Sequence, residues 1–393
     1  MEILIAGAFS PNRDGVANVV WAHAQGFIKA GHHVTIATQY HRDRHLENFP
    51  PGMTVKQFKI RGNRNLRVGL TGAVSEYTSF IRSCRVQIAF FHCWETPTTD
   101  LVTPLLPELP FKKVLVSHGV TANSRLFWPR GIPTWLGWRP YVLQGIPSAL
   151  PLFDRVVYLS DQIDRDRFVD RHISARLGLQ NGSVIPNGVH LESHDQAQPG
   201  FRAKYGLQQG LVLLCVGRYD KYKNGIGVAE AVLHSGITDA TLVLIGPAIN
   251  DYTHRIQQLW TRRNPTGLRL LCLQGLSSSE ILQAYKEADI YIQASRTECL
   301  PLVILDAMAS ATPFASSDVG CVRHLPGGIV GQTQHDLARA IRALAQSPAL
   351  RRELGEMGRR ACESRYSWPI ICNDYLTLAE ALITESTYVP SPA

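Results

Sequence analysis

The chain has 393 residues, a formal net charge of +8, 45% hydrophobic and 18% charged residues. That is enough apolar content for two or three cored domains at roughly 100–200 residues each. It excludes a disordered tail protein, a long coiled coil and a charge-block chain. The 31 Gly and 23 Pro follow no period, which excludes collagen-like and low-complexity chains. The longest apolar runs are about seven residues, such as 211–217, against the ~20 needed to span a bilayer.

The N-terminal run MEILIAGAF reads as a first strand: Glu2 is acidic, and there is no basic leader region or small-residue cleavage site of a signal peptide. Further apolar runs predict strands at 3–7, 33–38, 54–58, 87–91, 113–117, 155–159 and 183–185, then at 211–216, 241–245, 268–273 and 289–293. Amphipathic windows at 15–30, 228–235, 278–288, 301–310 and 334–345 predict helices between them. Continuous Val/Ile/Leu runs alternating with helices predict α/β halves whose parallel sheets are covered on both faces. The polar stretch HLESHDQAQPG (190–200) reads as a linker. The expected division is 1–195 and 196–369, with a helix at 370–386 completing the first half and 387–393 frayed. Two Rossmann-like halves imply a ligand cleft.

The eight Cys never form a CxxC pair and several sit in apolar runs. They read as scattered thiols of a reducing cytoplasm, not as a zinc site. All of the net charge lies in residues 51–150, with twelve basic residues against four acidic ones. Such a surface suggests an anionic partner.

Chemistry concentrates in four segments. In 295–313 (SRTECLPLVILDAMASATP) a strand ends, a loop carries Glu298, and Pro301 suits the first turn of a helix. The free N–H groups of that turn favour a phosphate. Asp306 lies about one and a half turns further on, and helical side chains lean toward the N-terminus, so its carboxylate can accept hydroxyl bonds from a sugar or ribose. In LLCVGRYDKYKNG, Arg218 follows a strand directly and Lys223 comes five residues later. Two cations there can neutralise a diphosphate without a metal. AFSPNRDG ends on Gly15, which would open a helix and admit a ligand closely. It is not GxGxxG, so the dinucleotide fingerprint fails. VLVSHGV places His118 at a strand end.

Together these segments resemble the retaining GT-B glycosyltransferases of family four, also described as glycosyl transferases group 1. Glu298 and Asp306 stand in the place of that family's E-x7-E motif, and Gly217, Arg218 and Lys223 match its GR…K pattern. IPNGV, LVLIGP and DVGCVRHLPGG (318–328) are further landmarks. The resemblance implies two Rossmann-like domains facing across a cleft, with the last helix crossing back onto the first domain. It implies that Arg218 and Lys223 hold the diphosphate of a nucleotide-sugar and that Glu298 contacts the transferred sugar. Backbone groups of Leu300, Pro301, Leu302 and Val303 would meet sugar and phosphates, and Asp306 the ribose. Gly15 would approach the donor and His118 the reacting sugar. Three positions depart from the pattern: Asp306 replaces Glu, Asn224 replaces a common Gly, and Ala311 replaces the Gly of SGTP.

Two other signals read differently. Asp164 and Asp166 match DxD, but they lie in the charged stretch SDQIDRDRFVDRH and read as a solvated face, so no metal is assigned. WPRGIPTWLGWRPYVLQGIP joins Trp128, Trp135, Trp138 and Tyr141 to Arg125, Arg130 and Arg139, which suits an anionic membrane surface, an acceptor or a packed loop. No nucleic-acid motif is present. The expectation is metal-independent transfer of a hexose-type sugar, with retention, from a nucleotide-sugar (UDP ahead of GDP) to a hydroxyl acceptor, and no other cofactor. The expected setting is cytoplasmic, peripheral to the inner face of a membrane. An epimerase or phosphorylase on the same fold, or a sugar-nucleotide-binding scaffold, are the alternatives.

Overall fold

A computed structural model of the chain describes residues 1–10, 15–44, 49–122, 131–162, 168–264 and 267–387. Two compact units divide it: 1–187 with 368–393, and 188–367. Each carries its own core.

The first unit contains β1 (Glu2–Ala6), β2 (His33–Gln39), β3 (Met53–Phe58), β4 (Ile60–Asn63), β5 (Gly69–Gly72), β6 (Ile88–His92), β7 (Lys112–Ser117), β8 (Arg155–Tyr158) and β9 (Gly182–Val184). Seven of these form one sheet in the order β3-β2-β1-β6-β7-β8-β9, and every pairing in it is parallel. β4 and β5 form a separate antiparallel hairpin. The central strands are apolar along their length and bury both faces: Ile3, Leu4, Ile5, Ile88, Phe90, Val114 and Leu115 have no exposed surface. The helix Val16–Lys29 meets the C-terminal helix Trp368–Thr387 within this unit. There Tyr375 packs on His23, ring centres 4.3 Å apart. Gly26 faces Cys372 so closely that a Cβ would come within 2.2 Å of its Sγ. Residues 388–393, most of the segment expected to fray, lie outside the described residues.

The second unit contains β10 (Leu211–Val216), β11 (Ala240–Gly246), β12 (Arg269–Gln274), β13 (Ile290–Gln293), β14 (Phe314–Ser317) and β15 (Gly328–Gly331). They make an all-parallel sheet in the order β12-β11-β10-β13-β14-β15. In both sheets the chain starts in the middle, winds to one edge, then returns to the middle and winds to the other. The strand order therefore reverses between β1 and β6, and again between β10 and β13. Crevices at such reversals, outside the carboxyl ends of the strands, are where doubly wound sheets bind ligands.

The structure corrects one reading. The polar stretch 190–200 is not a free linker: it forms the helix Leu191–Gln196 in the second unit. His194 is buried there, and Lys286 Nζ donates to the Ala197 carbonyl at 2.7 Å. Val189 N–H donates to the Tyr366 carbonyl at 2.7 Å, beside a parallel bridge to Ser367. β14 and β15 carry no long apolar run, which is why no strand was expected at FASS or GIVG.

The helix contact gives a stability prediction. Gly26→Ala drives a methyl into the Cys372 side chain, and overpacking of this kind costs about 1–3 kcal/mol. Thermal unfolding should show a lowered midpoint for Gly26→Ala. Combining it with Cys372→Ala should recover part of the loss; additive losses would show that the clash is not the cause.

Candidate active site

In the second unit the loops after β10 and β13 lie at the reversal of strand order. The first loop is folded around Asp220. Its Oδ1 accepts the N–H groups of Tyr222 and Lys223, both at 2.9 Å. Its Oδ2 accepts from Arg218 Nε at 2.9 Å. Asn224 ends the loop in the left-handed region at φ 54 and starts the helix Gly225–His234, its Oδ1 accepting from Gly227 N–H. That conformation explains why Gly or Asn suits this place. Asn224 adds what Gly cannot: its Nδ2 donates to the Ala294 carbonyl at 3.0 Å, tying this loop to the end of β13. Arg296 N–H donates to the Tyr222 carbonyl at 2.8 Å and makes a second tie.

These ties bring Lys223 to Glu298. Nζ lies 2.6 Å from Oε1, with 30% of the lysine and 12% of the glutamate side chain exposed. The loop carrying Glu298 is held from the other side by the 318–328 segment. Cys321 N–H donates to the Cys299 carbonyl at 3.0 Å. Gly320 sits at φ 56, where a Cβ would stand 2.3 Å from that carbonyl and 2.7 Å from the carbonyl of Glu298. Only glycine fits there. Cys299 itself is buried.

The Glu298 loop runs through Leu300 and Pro301 into the helix Leu302–Ala309. Pro301 is the cap residue rather than the first helical residue, at φ −72 and ψ 121, and no side chain caps this helix start. The helices at Asp251, Ser278, Gln334 and Pro348 are each capped by a side chain. The first N–H groups of the helix, on Leu302 and Val303, and its positive end are thus offered to an anion. One turn on, Asp306 has a partner that the sequence did not suggest. Its Oδ1 lies 3.1 Å from Nε2 of His194, whose Nδ1 meets Ser310 Oγ at 2.7 Å. Glu298 and Asp306 share a neighbour in Tyr291, a phenol held well above its ordinary pKa first by burial, then by Cys215, with both carboxylates adding.

The structure thus joins Lys223 to Glu298 and puts Arg218 on the same loop, but turns Arg218 toward Asp220. Among the described residues, no three His, Cys, Asp or Glu side chains form a metal-binding group. Asp164 and Asp166 lie outside the described residues.

In the first unit, Gly15 caps the helix Val16–Lys29 at φ 47, with open space where a Cβ would be. His118 follows β7 and is buried, its Nε2 3.1 Å from Nδ1 of His92 at the end of β6. His92 in turn lies beside His23, the rings tilted by 55° with centres 5.3 Å apart. His23 and the His92 Nε2 have no hydrogen-bond partner among the described residues. Burial and then His118 depress the His23 pKa to about 3. Burial, followed by His23 and His118, depresses that of His92 well below the usual range. Sequence reasoning missed this stack, and also Cys93 and Glu95, two non-glycine residues at φ 70 and φ 64 just past β6. Strained backbone of this kind marks functional edges. Glu95 accepts the N–H of Thr121 at 3.2 Å and those of the Thr121 hydroxyl and Ala122 N–H, fixing the segment that follows His118.

Two doubly wound parallel units with these edge loops define a GT-B glycosyltransferase fold. Solved structures agree: sucrose-phosphate synthase from Thermosynechococcus elongatus superposes with a TM-score of 0.79 at 19% identity, over 98% of this chain and 99% of that one. Anabaena HepE in complex with UDP gives 0.73 at 15% identity, over 97% and 100%. Residues 198–361 match the family described as "Glycosyl transferases group 1" and residues 13–193 the one described as "Glycosyltransferase Family 4", and the chain belongs to these glycosyltransferases. The alpha-maltose-1-phosphate synthase of Mycobacterium tuberculosis H37Rv is 28% identical over 314 residues, 73% of this chain and 77% of that protein. The phosphatidyl-myo-inositol mannosyltransferase of Mycobacterium leprae is 26% identical over 215 residues, 52% and 55%.

The histidine stack gives a pH prediction. An unfolded His titrates near 6.5, while His23 in the fold titrates at about 3. The stability its neutral ring contributes is therefore complete above pH 6.5 and is lost as the pH falls toward 3. In urea unfolding, His23→Phe should gain on the wild type by about 1.4 kcal/mol for each pH unit below 6.5. A difference that stays flat between pH 6.5 and 4 would show that His23 is charged or solvated in the native state.

Proposed function

We propose that the protein transfers a hexose-type sugar from a nucleotide-sugar donor to a hydroxyl acceptor with retention of anomeric configuration. The observation that carries this reading is the Lys223–Glu298 pair at the carboxyl ends of β10 and β13, beside an uncapped helix start. A diphosphate seated there would meet Lys223, with Arg218 swinging from Asp220 to join it, and the N–H groups of Leu302 and Val303. Glu298, oriented by Lys223, would accept hydroxyl hydrogens of the sugar. Asp306, its Oδ1 held by His194, would accept those of the ribose. Gly15 would let the donor approach the backbone after β1, and His118 would stand by the reacting sugar.

In the step itself the bond from the anomeric carbon to the diphosphate oxygen breaks. The acceptor oxygen bonds to the same face, and its proton passes to the departing diphosphate. Leaving-group charge falls on Lys223, Arg218 and the helix start, so the reading requires no divalent ion and EDTA should leave turnover unchanged. UDP is preferred to GDP as the donor base; HepE, with the same fold, is described in complex with UDP and with UDP-glucose.

Glu298→Gln and Lys223→Ala should each reduce turnover by about 100-fold or more, the scale seen when one preorganised charge or donor is removed, while the thermal midpoint shows both remain folded. Near-wild-type rates in both variants would refute the assignment. A thermal-shift screen with UDP, GDP and ADP should raise the midpoint most with UDP, since a ligand binding only the native state stabilises it by mass action.

A further inference from the structure

A pocket of about 720 Å³ opens in the first unit, away from the residues assigned above. Arg64, Leu66 and Leu70 of the β4–β5 hairpin wall one side, and Tyr141, Gln144 and Leu152 of the helical run 132–152 wall the other. The two walls are bonded together: Leu66 N–H donates to the Gly137 carbonyl at 3.0 Å, and Asn65 Nδ2 to that of Thr134 at 3.0 Å. Tyr141 is buried and donates its O–H to Asp100 at 2.8 Å, so the floor is fixed.

The two segments that wall the pocket combine two properties that seldom coincide on a solvated surface. Leu66 is 74% exposed, Leu143 60%, Val68 56% and Leu136 53%, all on these two bonded segments. Isolated exposed aliphatics are ordinary, but four on two segments bonded to each other concentrate apolar surface in one region of the unit. Residues 59–72 hold Lys59, Arg61, Arg64 and Arg67 and no acid, and residues 131–152 hold Arg139 and no acid. Elsewhere in the basic region some of the charge is paired: Lys112 and Lys113 with Asp154, and Arg82 with Glu108. Arg61, Arg67 and Arg139 make no ion pair among the described residues; Arg139 lies over the Trp135 ring, 4.7 Å from its centre.

We propose that this face docks on the surface of an anionic phospholipid bilayer, with the pocket receiving the acyl end of one lipid. Lys and Arg stems lie along apolar surface while their charges reach phosphates. Tryptophan beside arginine suits the headgroup level, and aliphatic tips such as Leu66 and Val68 enter the acyl boundary. A second copy of this chain is a poor occupant, because the face would set cation against cation. Docking does not require the transfer reaction and is read without donor. Among the described residues no helix is long and apolar enough to cross a membrane.

The test is co-sedimentation of the full chain with phosphatidylcholine vesicles, with and without phosphatidylglycerol, at low and high salt. Binding should require phosphatidylglycerol and weaken with salt. Arg67→Glu should weaken it about tenfold or more, and Leu66→Asn and Leu152→Asn should each weaken it severalfold with unchanged thermal midpoints. Three results would overturn the proposal: no binding to anionic vesicles at low salt, equal binding by all variants, or loss in Arg67→Glu alone. Transfer to a soluble acceptor should persist in these variants, which separates failure of docking from failure of the catalytic reading.

Discussion

The Lys223–Glu298 ion pair depends on the winding of the sheet more than on either side chain. β10 and β13 are neighbours only because the strand order reverses between them. Their following loops therefore leave in company, and Asn224, Asp220 and Gly320 lock those loops in place. A mostly buried ion pair adds little net stability, since desolvation offsets the attraction, yet removing one partner is costly. A chain that keeps one at a ligand crevice is keeping a polarised surface. The side-chain charges there balance, Arg218 against Asp220 and Lys223 against Glu298, so the positive excess is that of the uncapped Leu302 helix end.

Asp306 shows how the same crevice is organised one layer deeper. A carboxylate one methylene shorter than Glu reaches less far along the helix axis. His194 compensates by fixing one of its oxygens, and Ser310, one turn further along the same helix, fixes His194. The support comes from the Leu191–Gln196 helix, which lies far away in sequence and packs against the helices after β12 and β13. The acid that departs from the family pattern is therefore a positioned acid.

How much of this was legible follows from how local each signal is. β10 was read to the residue because six consecutive apolar residues serve a strand buried on both faces. The loop after β10 and the Glu298 helix were legible because their chemistry lies within about a dozen residues of one strand end each. β14 and β15 were not, because small and polar residues suffice where a strand pairs near a sheet edge with little side-chain volume to fill. The 190–200 stretch misled because its outward positions are polar, while the two side chains it buries, His194 and Ala197, make no clear periodic signature. Arg218 follows β10 directly, as the sequence shows, but its engagement with Asp220 depends on a turn that composition does not encode.

The histidine stack is the extreme case, since its members come from the first helix, β6 and β7, and meet only in the fold. Its arrangement also limits what His118 can do. His92, kept neutral by burial and by two like neighbours, has one N–H to place. Its Nδ1 faces Nε2 of His118 at 3.1 Å, so a single proton must lie between those two nitrogens. His118 thus has its Nε2 turned inward, and any contact with a reacting sugar falls to its Nδ1 edge or to the backbone around Gly119. The strand-end histidine read from VLVSHGV thereby acquires a defined orientation.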